Sequence, residues 1–128
     1  MLFRSYLIYK AYKDKEITLF EKGKFYRDLI YISDVVSAIK TIMNKGKSGN
    51  LYWISSGKKT WFYQFGSWLH EITETKVVYV KTPKYTKKVD VGNFVVSNAK
   101  LKSLGWENKT SIKEGIQKTI SYFENLKN

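Results

Sequence analysis

The feature that most constrains this chain is a series of short β-like runs spaced by helical segments, with too few runs to complete a sheet. Ile17-Thr18-Leu19-Phe20, Phe25 to Ile32, Asn50 to Ser55 and Val77 to Val80 are rich in the β-branched and aromatic residues that suit strands, and Phe94-Val95-Val96 is extended. Between them, periodicity and caps predict helices from about Phe3 to Lys13, from Ser33 to a stop at Gly46, and from about Trp61 to Glu74. A short helix follows Ser97 or Asn98, and a closing one follows Ser111. Strands alternating with helices imply an α/β fold. The runs are too widely spaced for a complete doubly wound sheet, so an incomplete α/β unit with four to five helices is expected, one domain in 128 residues.

Local signals sharpen this reading. Ser33 is placed to cap a helix whose apolar face is Val35, Val36, Ile39, Ile42 and Met43. Asn50 to Ser55 reads as a buried strand before a turn at Ser56-Gly57. Phe62, Phe65, Leu69 and Ile72 share a face, with Trp68 beside them, and Ile112, Ile116, Ile120 and Phe123 form the stripe of the last helix. Ser111 and Glu114 have the spacing of a capping box, and Gly105 suits a helix stop. Gly115, inside a helix, costs roughly 1 kcal/mol against alanine and so implies close packing on another element. Asp34, near a helix start, complements the helix dipole.

The formal charge is +12, and every basic residue except Arg4 and Arg27 is a lysine, spread along the chain. Such scatter is usually a solvated surface; the alternative is a small basic protein that binds nucleic acid or another polyanion. No apolar run approaches the ~20 residues of a membrane span, and the start has no signal-peptide pattern. A soluble cytoplasmic protein is the expectation. There is no cysteine, and the single histidine, His70, has no partners in sequence for a metal site or a triad, so its role is structural.

Four ordered motifs carry a resemblance. Arg27-Asp28-Leu29-Ile30-Tyr31-Ile32-Ser33-Asp34-Val35-Val36 is similar to the R-D-[FL]-[IV]-Y-V-x-D-V-V signature of NAD-dependent nucleotide-sugar epimerases and dehydratases, the extended short-chain dehydrogenase/reductases. Upstream, Ile17-Thr18-Leu19-Phe20 resembles the I-T-I-[YF] run of that family. Downstream, Gly49-Asn50-Leu51-Tyr52-Trp53-Ile54-Ser55-Ser56-Gly57 resembles G-x-x-Y-N-I-G-S-G. Leu104-Gly105-Trp106 followed by Thr110-Ser111-Ile112-Lys113-Glu114-Gly115-Ile116 resembles the C-terminal L-G-W-x-P-x-T-S-L-x-E-G-I. Order and spacing agree from about residue 4 to the end.

The resemblance implies the C-terminal, substrate-binding part of such an enzyme, without its dinucleotide-binding domain. Arg27 takes the place of the diphosphate-binding arginine, a role its planar fork suits; the alternative is an ion pair, with Asp28 for instance. Thr18 and Phe20 would border the nucleotide base, or else belong to a half-buried edge strand. Where the family has a second arginine, the loop from Pro83 to Asn93 offers only Lys84, Lys87 and Lys88; Lys87 lies nearest the expected place, as a phosphate partner or a solvated loop lysine. Trp53 replaces an asparagine that in relatives reaches the ligand, and Glu21-Lys22 replaces Gly-Asp.

These residues contain no glycine-rich strand-to-helix turn for an NAD pyrophosphate. Tyr9 and Lys13 match the catalytic Tyr-x-x-x-Lys in letter but lie too close to Arg27, on what should be the intervening helix. The expected partner is therefore a nucleotide-diphosphate sugar. NAD is expected in the full-length parent and not for this chain alone, and a separate Rossmann half is a possible partner.

Overall fold

In the first strand, β1 (Glu16–Phe20), Ile17 and Leu19 are fully buried while Glu16 and Thr18 face out, the period of two that one covered face imposes. This computed structural model describes residues 3–84 and 92–126, and two two-stranded sheets organise it. β1 pairs in parallel with β4 (Lys76–Val80), Ile17 opposite Val77 and Phe20 opposite Val80. β2 (Tyr26–Asp28) pairs antiparallel with β3 (Lys59–Trp61). Among the described residues five α-helices pack with these strands: α1 (Phe3–Lys13), α2 (Ile32–Lys45), α3 (Phe62–Thr73), α4 (Ala99–Lys102) and α5 (Ile112–Asn125). The incomplete α/β unit expected from the sequence is what forms.

The main core lies where α1, α3 and α5 meet β1. Leu7, Ile8 and Ala11 of α1, Phe62, Phe65 and Leu69 of α3, and Ile116 and Ile120 of α5 close over Ile17 and Leu19. These three helices present the faces that their periodicity predicted, with Ile72, Ile112 and Phe123 half-buried at the margin. A 3-10 turn, Glu21–Gly23, links β1 to β2. Gly23 sits at φ +70°, and a Cβ there would stand 2.5 Å from the Tyr63 backbone nitrogen, so only glycine lets this turn lie against α3. Ser111 caps α5 by accepting from the Glu114 N–H at 3.2 Å, while the Glu114 carboxylate pairs with Lys118 at 2.7 Å. Gly115 packs as expected, since a Cβ would stand 3.0 Å from Tyr31 Cδ2.

Four expectations need correction. The β-like run Phe25 to Ile32 is a strand only over Tyr26–Asp28, because its partner β3 is three residues long and the chain then turns into α2. Ser33 is not the N-cap: α2 starts at Ile32, and the Tyr31 carbonyl accepts from the Asp34 and Val35 N–H groups. The apolar face Val35, Val36, Ile39, Ile42 and Met43 is covered only in part, with Val35 and Ile42 half-buried. Val36, Ile39 and Met43 are exposed, and α2 instead buries Asp34 and Ala38, the latter in a satellite cluster with Leu101 and Trp106. Asn50 to Ser55 is not a buried strand. It pairs with no described strand, and Leu51 and Trp53 are 68% and 57% exposed.

Asp34 does more than complement a dipole. Its buried carboxylate accepts from the Lys109 and Thr110 N–H groups at 3.2 and 2.9 Å, tying the segment before α5 to the start of α2. Trp106 adds a second tie by donating from Nε1 to Ser37 Oγ at 2.9 Å. No helix among the described residues is long and apolar enough to cross a membrane.

Candidate functional site

Alternation along β2 sends Asp28 inward and leaves Arg27 half-buried on the opposite face. Asp28 is a hub. Oδ1 accepts from Ser56 N at 2.8 Å and Ser56 Oγ at 2.6 Å, and Oδ2 accepts from Gly57 N and Val96 N, both at 3.2 Å. Charge-assisted bonds of this kind are about twice as strong as neutral ones. One carboxylate thus holds the turn at Ser56-Gly57 and the extended segment around Val96 against β2.

That segment is stapled on both sides. Ser55 Oγ donates to the Val96 carbonyl at 2.8 Å, and Asn98 Nδ2 donates to the Ser55 carbonyl at 2.9 Å. Tyr26 N donates to Asn93 Oδ1 at 3.0 Å. The side chain of Asn98, at the N-cap position of α4, is used here rather than on the helix.

The staples bring Phe94 beside Arg27. The guanidinium carbon lies 5.7 Å from the Phe25 ring centre and 5.8 Å from that of Phe94, and Nη1 donates to the Tyr26 carbonyl at 2.9 Å. Both rings are within cation–π range. Phe25 stacks in turn on Phe62 at 4.3 Å, and Phe62 lies against Phe65 at 5.6 Å. An aromatic column running up from the core therefore supports the cation. A guanidinium so held is oriented before an anion arrives, which lowers the ordering cost of binding.

Thr18 is exposed and Phe20 half-buried on β1, whose second edge pairs with no described strand. Trp53 stands exposed on the run before Ser55. Thr18, Phe20 and Trp53 make no side-chain hydrogen bond, ion pair or ring contact among the described residues, and two grooves beside α5, one at Tyr31, Glu114 and Lys118 and one between α5 and α1, are lined neither by them nor by Arg27. Lys87 and Lys88 lie outside the described residues; Lys84 is described and exposed. Phe94 escaped the sequence reading because its partner, Arg27, is 67 positions away and no local pattern links them.

The remaining titratable groups among the described residues suggest no second centre. Tyr9 packs edge-on against Phe123 at 5.5 Å, and a hydrogen bond to Tyr9 raises Lys13 above its ordinary value. His70 Nδ1 meets the Thr75 carbonyl at 2.8 Å, a structural contact at the end of α3. No group of three His, Cys, Asp or Glu among the described residues could hold a metal ion.

The profile of the GDP-mannose 4,6 dehydratase family matches residues 5–119. The chain belongs to this family. It is thereby a member of the NAD-dependent epimerase/dehydratase group, the extended short-chain dehydrogenase/reductases. A dTDP-D-glucose 4,6-dehydratase from Bos taurus is 30% identical over 108 residues, which cover 80% of this chain and 30% of the bovine protein.

Solved structures agree. UDP-glucose 4-epimerase of Thermotoga maritima, crystallised with UDP-glucose, superposes with a TM-score of 0.82 at 30% identity, over 97% of this chain and 40% of that enzyme. The enzyme WbmF of Bordetella bronchiseptica, crystallised with NAD+ and UDP, gives 0.78 at 30% identity, over 95% and 36%. The chain spans about 30% of the length of the mammalian relatives it matches.

Proposed function

We propose that this chain is the nucleotide-sugar-binding portion of an NAD-dependent sugar epimerase or dehydratase, inactive alone, with NAD and the reacting groups supplied by a dinucleotide-binding portion. In such an enzyme NAD, when bound, would supply reversible hydride transfer at the sugar ring, while the portion formed by this chain would hold the nucleotide. The observation that carries the reading is Arg27, held between Phe25 and Phe94 at the head of the Asp28 hub. It stands in the motif that the sequence shares with these enzymes, on a chain that superposes on an epimerase solved with UDP-glucose.

In this reading Arg27 receives the diphosphate as a bidentate donor. Phe94 walls one side of the guanidinium. Thr18 and Phe20 offer the edge of β1 that pairs with no described strand, and a ring, to the base; Lys87 adds a point charge to the phosphates, and Trp53 occupies the place of a ligand-contacting asparagine. The bulk of Trp53, and lysine where relatives have arginine, support a pocket altered from the family pattern.

Calorimetric titration with UDP tests the assignment. Arg27→Ala is expected to weaken UDP binding by about tenfold to a hundredfold, and Arg27→Lys by about tenfold, because lysine keeps the charge and loses the fork. NAD is expected not to compete. Equal UDP affinity in wild type and Arg27→Ala would remove Arg27 from the site. Tight NAD binding by this chain would overturn the assignment of cofactor contacts to another portion. Micromolar binding of single- or double-stranded DNA with steep salt dependence would favour a polyanion-binding role instead.

A further inference from the structure

The β1–β4 sheet has one covered face and one open face. Ile17 and Leu19 turn into the core, and Gly66 of α3 packs against Leu19 and against Val77, the partner of Ile17. The other face carries three cross-strand pairs in register: Glu16 with Lys76, Thr18 with Val78, and Phe20 with Val80. It runs from an ion pair at the amino end, 3.7 Å apart, to an apolar pair at the carboxyl end. Val80 is exposed, and Phe20 and Val78 are half-buried. A ring and a branched side chain thus form an apolar patch at the carboxyl ends of two parallel strands, the end at which open α/β sheets receive ligands.

A carboxylate stands at the rim of that patch. The chain leaves β1 through three consecutive left-handed residues, Glu21 at φ +47°, Lys22 at +55° and Gly23 at +70°. A residue with a Cβ is strained in this region, and glycine is not. The family pattern has glycine at the first of the three; this chain keeps the left-handed backbone and places glutamate there. Glu21 is exposed, and its Oε1 accepts from the Thr82 N–H at 3.3 Å, so the carboxylate bridges the ends of β1 and β4. A strained residue that sets a charge beside an open patch points to a ligand. The charge also limits which one. In a site for a diphosphate, a carboxylate repels the ligand unless other atoms of the ligand donate hydrogen bonds to it.

We infer that Glu21 selects the base of the nucleotide, and that the base it selects is guanine. The inference rests on the reading in the preceding section, which sets the base at Thr18 and Phe20. The base lies with one face on Phe20 and Val80 and turns its polar edge to Glu21. Guanine presents N1–H and the N2 amino group side by side, two donors that match the two oxygens of a carboxylate. Uracil and thymine present one N–H between two carbonyls. Adenine and cytosine present an amino group next to a ring-nitrogen acceptor. In each of these four an acceptor meets the carboxylate. The relatives named above differ in base, so membership of the family leaves it open.

The test is a calorimetric titration of the chain with GDP, UDP and IDP, in the wild type, Glu21→Gln and Glu21→Gly. The base of IDP keeps N1–H and lacks the N2 amino group. The wild type is expected to bind GDP about tenfold to a hundredfold more tightly than UDP, and about tenfold more tightly than IDP. Glu21→Gln is expected to remove most of the difference between GDP and IDP, which a residue acting only on the fold would leave in place. Glu21→Gly suits φ +47° and is expected to bring GDP affinity down to that of UDP, a fall that no strain in the turn explains. Equal affinity for GDP and UDP in the wild type overturns the inference. So does a preference for GDP that survives Glu21→Gly, or a GDP-to-IDP ratio that Glu21→Gln leaves unchanged. Where Arg27→Ala still weakens both nucleotides, the diphosphate reading stands and the base assignment alone falls. A chain that binds none of the three nucleotides removes both.

Discussion

Asp28→Ala is expected to lower the free energy of unfolding by on the order of 3–5 kcal/mol, read as a fall in the urea midpoint. The carboxylate accepts four hydrogen bonds, three of them from backbone N–H groups of Ser56, Gly57 and Val96. Alanine would leave those donors in a buried space without an acceptor, and each such group costs about 1–3 kcal/mol. Asp28→Asn is expected to lose about half as much. Its oxygen still serves Ser56, but its amide presents hydrogens to the donors of Gly57 and Val96. A loss below about 1 kcal/mol for Asp28→Ala would mean that the turn and the 93–98 segment hold without the hub.

Phe62→Ala carries the other large effect, an expected loss of about 3–5 kcal/mol in the same measurement. Phe62 is 1% exposed and sits at the centre of the aromatic column, between Phe25 and Phe65. The consequence reaches the candidate site, because Phe25 is one of the two rings that hold Arg27. With the cavity beneath it, Phe25 gains freedom and the guanidinium loses one wall. UDP affinity should therefore fall even at temperatures where the variant remains folded. Unchanged affinity in folded Phe62→Ala would disconnect the column from the site.

The elements legible in the sequence are those whose partners lie within this chain. Ile17 and Leu19, the α3 face of Phe62, Phe65 and Leu69, and the stripe of α5 all end in one core, so their patterns and their burial agree. Helix α2 and the run Asn50 to Ser55 depart from their patterns for a single physical reason. An apolar stripe states that a surface disfavours water, not which polypeptide covers it. Met43, Leu51 and Trp53 carry residue types suited to burial, and the described residues leave more than half of each exposed.

At the candidate site, the weight of Arg27 and Asp28 is legible as a motif, whereas the division of labour between them is not. The sequence leaves Asp28 open to pairing with its neighbour. The structure gives its carboxylate to the Ser56-Gly57 turn and Val96, and places Arg27 between two rings. Ser33 departs from its expected role for a different reason. Its hydroxyl suits a cap, but the Tyr31 carbonyl already begins the helix ahead of it.

The most direct test of the nucleotide-binding account is a titration of the isotope-labelled chain with UDP, followed residue by residue through the backbone amide resonances. The account predicts shifts that saturate and cluster at Thr18 to Phe20, Arg27 and Phe94, and that disappear in Arg27→Ala while the remaining resonances keep their positions. Shifts confined to the groove between α1 and α5, or spread over the exposed lysines without saturation, would contradict it.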